Sequence, residues 1–391
     1  MVTDYPLRFS LTADGAVVQN NLIFAMTSEM VNNTTSSLDS MQIKNNIVGA
    51  KVSLDGVFDA NSILGVMAQM YALKDAVIGG NPADANVIAG GNRDNFVWSA
   101  GLMIGESSNN VSIKSNYVGI SPGGVKLANS AGILIDKATG GVGNEVMNVT
   151  IGGTNANDRN YISGNSSGIL VGHGTDTVTI LGNYIGSGLN GKTAGIGNTD
   201  GITYIFGETK NVTIGNGTVG GRNVISGNTS NGINISDAYA DLGGINKIQG
   251  NYVGLDVDEN PLPNNGNGLY IGHGGNLLVG GSSPGEGNII SGNNQGISIS
   301  ENAAGITFFG NMVGVKSDGE TAAPNTGWRG ADIRSRGTLQ FGGPNSGEGN
   351  IVSCNKNDGV TLIAVQNFTA QGNKIGVTKS GAACGNGGDG I

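Results

Sequence analysis

An asparagine followed two residues later by isoleucine or valine recurs along this chain, at Asn46, Asn86, Asn116, Asn160, Asn183, Asn223, Asn251, Asn288, Asn311, Asn350 and Asn373. The intervals alternate, 37–44 residues against 23–30. Repetition at such a period is read before anything else, because it decides the architecture. Residues 160–183 show one unit plainly. Three short apolar-alternating runs, Tyr161-Ile162, Ile169-Leu170-Val171 and Val178-Thr179-Ile180, are each bounded by glycine or asparagine. Period-two alternation, β-branched residues and Gly/Asn punctuation spell strands joined by tight corners. Nothing in the unit has helical spacing.

The long intervals keep the same strands and add residues at two corners. One set follows the Asn-Tyr-Val/Ile-Gly strand, at 121–128, 187–197, 256–264, 316–324 and 378–385. The other follows the Ile-Gly-Gly strand, at 81–85, 154–159, 216–222, 282–287 and 344–349. Insertions confined to equivalent corners leave a coiled stack undisturbed. A unit this short cannot bury an apolar face alone, so the coils must stack and pair each strand in parallel with its copy in the next coil. With strands about 4.8 Å apart, twelve or so coils make a rod roughly 60 Å long. The anchor asparagines then fall in one column, where their amides can form a ladder. Ile162, Ile185, Ile225, Val253, Ile290, Val313, Val352 and Ile375 fall in one core column. The first set of corner loops should project along one edge, about 10 Å apart.

This pattern resembles the right-handed parallel β-helix repeat, the pectin-lyase-like superfamily of surface and carbohydrate-active proteins. The resemblance covers residues 41–391 and implies an all-β, right-handed parallel β-helix solenoid of about twelve coils. Residues 1–40 fit the repeat poorly and are expected to be an N-terminal cap or a degenerate first coil, with strands in 7–11 and 17–24. Residues 57–76, low in glycine and rich in Ala, Met and Leu, suggest a short helix covering a flank.

Composition removes several function classes. The net charge of −9, without any basic run, argues against nucleic acid as a partner. No stretch approaches eighteen apolar residues, so no membrane span is expected, and the N-terminus has no apolar signal region. Low charge suits an extracellular or cell-surface location. Cys354 replaces the glycine of Ser-Gly-Asn, whereas Cys384 lies in a corner loop. These unlike positions favour two separate thiols over a disulfide.

The strings Asn198-Thr199-Asp200-Gly201, Gly172-His173-Gly174 and Gly272-His273-Gly274 resemble two motifs of the polygalacturonase family of glycoside hydrolases. The resemblance would make Asp200 an acid or base and His173 and His273 substrate-positioning residues. Yet the chain has no Asp-Asp pair and no Arg-x-Lys string to match the family's remaining motifs. Glycoside hydrolysis needs two carboxylates about 5–10 Å apart. Aligned coils place Ser167 and Asn231, not a carboxylate, on either side of Asp200. The repeat puts Asn198-Thr-Asp-Gly at an ordinary corner, and a turn is the expected role. Asp256, Asp258 and Asn260 alternate like calcium ligands, but the loop lacks the glycine such a turn needs and Pro261 follows, so a solvated corner is expected. The Asn-x-Ser/Thr strings are expected to belong to corners and solvent faces. No cofactor is implied.

Two functional expectations follow. One is a non-catalytic structural or adhesive surface protein, able to associate with itself head to tail through an uncovered C-terminal coil. The other is a β-helix that binds or degrades a cell-surface polysaccharide.

Overall fold

Strands that are apolar on one side only must find partners that continue both the hydrogen bonding and the buried face. In this chain each strand finds its own copy in the adjacent coil. The computed structural model describes residues 7–9, 15–23, 26–28, 38–52, 58–63, 68–91, 100–137, 143–204, 209–236 and 244–391, and it is a parallel β-helix. Three sheets of 12, 14 and 12 strands run the length of the stack. The chain visits them in a fixed order, for example Ser167–Val171 in the first, Thr175–Leu181 in the second and Tyr184–Ile185 in the third.

The register is the one the repeat predicts. Ile162, Ile185, Ile225, Val253, Ile290, Val313, Val352 and Ile375 pair in succession through the third sheet. All but Ile375 are at most 1% exposed. Mainly isoleucine and valine from the first and second sheets fill the rest of the interior, with the Phe308 and Phe341 rings in tilted contact at 5.6 Å towards one end.

The anchor asparagines form an unbroken ladder from Asn21 to Asn373, each Nδ2 donating to the Oδ1 of the next. Asn160 illustrates the bonding. Its Nδ2 donates to Asn183 Oδ1 at 2.9 Å and to the carbonyl of Ile113 at 2.8 Å, while its backbone N–H reaches the same Asn183 oxygen. A buried polar corner is thereby satisfied coil by coil.

A second ladder stands at the next corner and was not anticipated. It runs through Asn129, Asn165, Asn198, Asn228, Asn264, Asn293, Asn325, Asn355 and Asn386. Glycine makes room for it. A Cβ on Gly254, whose φ is +94°, would lie 2.3 Å from Asn293 Oδ1.

One expectation about the first part of the chain needs revision. Residues 57–76 hold strands instead of a helix: Phe58–Ile63 runs antiparallel to Ala50–Val52, and Ala68–Met70 lies in the first sheet between Met26–Ser28 and Ala100–Ile104. Residues 57 and 64–67 lie outside the described residues. Ala and Met favour helix locally, but Ala68 and Met70 alternate with Gln69 at period two, and a ready sheet edge on both sides outweighs propensity. At the N-terminus, Leu7–Phe9, Val17–Gln19 and Leu22–Ile23, which fall within the strands expected in 7–11 and 17–24, each join a different one of the three sheets. Leu11 and Phe24 lie outside the described residues.

Candidate functional site

Asp200 opens the first-sheet strand Asp200–Tyr204, with Ser167 as its lateral partner. Its carboxylate accepts three N–H bonds. The backbone and side chain of Asn231 donate to Oδ1 at 2.8 and 3.0 Å, and Asn234 Nδ2 donates to Oδ2 at 2.8 Å. Asn267 in turn donates to Asn231 Oδ1. Asp200 is thus the end rung of a short third ladder on the outer face of the first sheet. Asn198, in the same string, is a rung of the second.

His173 has a partner that inspection of its string did not reveal. Its backbone N–H donates to Asp136 Oδ2 at 2.9 Å, and its Nδ1 lies 3.6 Å from that oxygen. Asp136 is fully buried, and Lys137 beside it is nearly so, with its Nζ 3.9 Å from Glu145. The repeat could have exposed this pairing. Ile135 is the lateral partner of Val171, so Asp136 and Lys137 fall beside Gly172 and His173. The negative charges of Glu106 and Asp136, together with burial as the larger cause, raise the pKa of the nearby Tyr71 phenol. The hydrogen bond from the His173 backbone N–H offsets part of the cost of burying the Asp136 carboxylate.

The three residues of the resemblance are not brought together. Asp200 is beside Ser167, six residues along the strand direction from His173, which is about 20 Å. His273 lies two strands beyond that of Asp200 along the first sheet, opposite Asn302, next to an irregularity in register. Its buried Nδ1 has no hydrogen-bond partner. Among the described residues no second carboxylate bonds with Asp200.

Four loops of the first set, 187–197, 256–264, 316–324 and 378–385, are bonded to one another along the row. Lys192 pairs with Asp258, Ser317 N–H donates to Glu259 at 2.9 Å, and Ser380 N–H donates to Glu320 at 2.7 Å. Each loop also folds on itself. Asp256 accepts the backbone N–H groups of Asp258 and Asn260, both at 2.8 Å, and Asp318 accepts those of Glu320 and Thr321. Asp256 therefore acts as a turn-closing acceptor, Asp258 as an ion-pair partner, and Asn260 as a donor to Asp256 through Nδ2. Among the described residues no three His, Cys, Asp or Glu side chains are grouped as a metal would require. Burial alone would raise the pKa of Glu259, but hydrogen bonds from Ser317 and Tyr252 more than offset it and hold the carboxyl below its ordinary value.

Between this loop row and the second row, which includes 282–287 and 344–349, the outer face of the third sheet is the floor of a groove of about 970 Å³. Tyr252, Ile289, Met312 and Ile351, from four successive strands, lie beneath it, and Tyr252, Ile289 and Ile351 are buried because the corner loops pack onto them. Arg222 lies against the Tyr252 ring, 4.1 Å from its centroid. Near the other end stand Lys374 and Lys379.

Cys354 and Cys384 form a disulfide beside this floor, contrary to the expectation of separate thiols. Their positions in the repeat differ, yet they are neighbours across adjacent coils. The N–H of Cys354 donates to the Cys384 carbonyl at 2.9 Å, as Gly292 does to Ala323 and Gly227 to Leu262. The corner loop folds down onto the preceding coil, bringing two unlike positions to a Cα separation of 5.0 Å.

No protein-family model matches the chain, and no curated protein is similar to it.

Proposed function

We propose that this protein is a non-catalytic β-helical rod of the right-handed, pectin-lyase-like kind, acting as a structural or adhesive component outside the cell. The observation that carries the reading is the bonding of Asp200. Its two oxygens bridge coils by accepting from Asn231 and Asn234, and its lateral neighbour is Ser167, so it has neither the partner nor the freedom of a glycosidase acid. An extracellular location is supported by the Cys354–Cys384 bond, since structural disulfides persist in oxidising compartments. The regular core and doubled asparagine ladder suit a load-bearing spacer that displays loops on a rigid frame.

One observation favours polysaccharide binding as a second reading. The outer face of the first sheet carries planar hydrogen-bonding side chains (Asn231, Asn267, Gln295 and Arg329), and Trp328 stands 72% exposed beside them. An exposed indole next to such groups can stack on a sugar ring.

The deciding experiment incubates the wild-type chain with pectic and other cell-surface polymers and measures both retention and released reducing ends. Retention without cleavage, weakened by Trp328→Ala, supports an adhesive rod that holds glycan. Cleavage that disappears in Asp200→Asn overturns the non-catalytic reading.

A further inference from the structure

The position after the anchor asparagine lies on the outer side of the third sheet, and several coils fill it with an aliphatic residue such as Ile47, Val87 or Ile351. Three consecutive coils place tyrosine there instead, at Tyr117, Tyr161 and Tyr184, although the chain has only nine tyrosines. Parallel pairing sets Tyr117 beside Tyr161 and Tyr161 beside Tyr184, so their side chains leave the sheet in one direction about 4.8 Å apart. All three are half-buried. The Tyr117 and Tyr161 rings are stacked, with centroids 5.3 Å apart and planes 15° from parallel. Tyr184 meets Tyr161 edge-on at 5.9 Å and 72°, and the Arg159 guanidinium lies over its ring at 4.0 Å. Other tyrosines are tied down through their hydroxyls, Tyr71 to Met103, Tyr204 to Thr209 and Tyr252 to Glu259. Tyr270 has Asn234 and Ser298 as lateral neighbours. Among the described residues, Tyr117 and Tyr161 are therefore the one pair of tyrosines stacked face to face.

We propose that Tyr117 and Tyr161 are an oxidative cross-linking site, joined as dityrosine when a peroxidase with hydrogen peroxide acts on the rod. Each phenol gives up one electron and one proton. The two phenoxyl radicals then form a carbon–carbon bond between ring positions ortho to oxygen. The hydrogens on those carbons move to the oxygens and restore two phenols, so the pair loses two hydrogen atoms in all. One hydrogen peroxide takes up the two electrons and two protons and becomes two waters. Burial, with Tyr161 as the lesser cause, raises the pKa of the Tyr117 phenol, so it is neutral near pH 7 and its proton leaves with the electron. Phenoxyl radicals couple only if they meet before either is quenched, and the paired strands supply that proximity in advance. Tyr184 is less suited, because it presents an edge to Tyr161 and Arg159 closes one of its faces. The new bond ties two adjacent coils across the 44 residues from Tyr117 to Tyr161. It belongs with the oxidising surroundings that the Cys354–Cys384 disulfide indicates, and it holds whether or not the rod retains glycan.

The test treats the purified, disulfide-bonded chain with a haem peroxidase and hydrogen peroxide, with free tyrosine in a parallel vessel as the coupling control. The chain should stay monomeric, lose two hydrogen atoms by intact mass and gain dityrosine fluorescence. Tryptic mapping should join 115–126 to 160–192, with fragment ions placing the bond on Tyr161 and a yield about tenfold above that of any other tyrosine pair. The treated chain should also unfold at a higher temperature, because the bond restrains the unfolded state. Tyr117→Phe and Tyr161→Phe should each abolish the linked fragment, while Tyr184→Phe should leave it. Phenylalanine keeps the ring, so the untreated variants should unfold at the wild-type midpoint, and the wild-type map stands without them. Dityrosine formed only between chains, or spread evenly over other tyrosines, overturns the proposal. So does its absence from the chain under conditions that couple free tyrosine, or its persistence in Tyr117→Phe. Neither the retention assay nor the reducing-end assay bears on this outcome, so the two readings fail separately.

Discussion

The side-chain amide of Asn198 donates to Asn228 Oδ1 at 3.0 Å and accepts from Asn165 at 2.9 Å. Two residues on, Asp200 accepts from Asn231. A string that resembles a catalytic motif is therefore two parallel ladder rungs, and the chemistry that makes Asn and Asp useful at an active site is here used to stack coils.

Replacing a central rung should be costly. In Asn223→Ala the N–H and Nδ2 of Asn183 lose their acceptor, and the Ile180 carbonyl and Asn251 Oδ1 each lose a donor. Leaving buried groups unpaired costs about 1–3 kcal/mol each, so a loss of about 3 kcal/mol is expected from denaturant unfolding. A loss below about 0.5 kcal/mol would mean that the ladder is ornamental.

Asp200→Asn should be nearly neutral, within about 1 kcal/mol by the same measurement. Its Oδ1 can still accept from Asn231. A flip of Asn234 would turn that residue's buried Oδ1, which has no partner now, toward the new amide.

Ile290→Ala removes part of the core column where Ile290 is 1% exposed between Val253 and Val313. The expected cost is about 2–5 kcal/mol. Calorimetry that finds no change would place Ile290 outside the packed interior.

Removing the disulfide should cost about 3–4 kcal/mol for a loop of this length. The choice of replacement should matter, because Cys354 sits at φ +63° where the equivalent Gly292 has φ +76°. Cys354→Gly with Cys384→Ala restores the pairing of Gly292 with Ala323 and should recover about 1 kcal/mol relative to the double serine variant. Equal midpoints for the two variants would count against the corner geometry.

Acid should loosen the loop row before the core. Glu259, Asp318 and Glu320 are all held below their ordinary carboxyl values, chiefly by hydrogen bonds from neighbouring loop residues. Such groups stabilise the fold fully above the unfolded carboxyl pKa of about 4 and lose that contribution as pH falls through their lower folded values. The unfolding midpoint should therefore drop below about pH 4.5, and Glu259→Gln with Glu320→Gln should flatten the drop. An unchanged slope in that variant would assign acid sensitivity elsewhere.

The Asn-x-Ser/Thr strings show how the repeat imprints on local sequence. Asn110, Asn148, Asn211 and Asn367 all adopt positive φ, between +50° and +57°, at the entrance to the second sheet. Asparagine tolerates that conformation better than most residues, and an inward apolar residue followed by an outward Ser or Thr completes the string. Asn165 and Asn228 are instead buried rungs.

The periodic sequence by itself determined the coil, the inward face of each strand, and the anchor column from Asn46 to Asn373. These follow from a one-dimensional repeat in which each residue's environment is set by its copy one coil away. What the repeat does not encode directly is contact between unlike positions. Cys354 bonded to Cys384 and the interlocked loops join different points of neighbouring coils. Their meeting depends on the length of each insertion and on how its loop folds back on the stack. Strand formation at 58–63 and 68–70 was decided the same way, by sheet edges that local propensity cannot sense. The groove, too, belongs to the tertiary structure, since its floor and walls come from segments more than 100 residues apart that only stacking brings together.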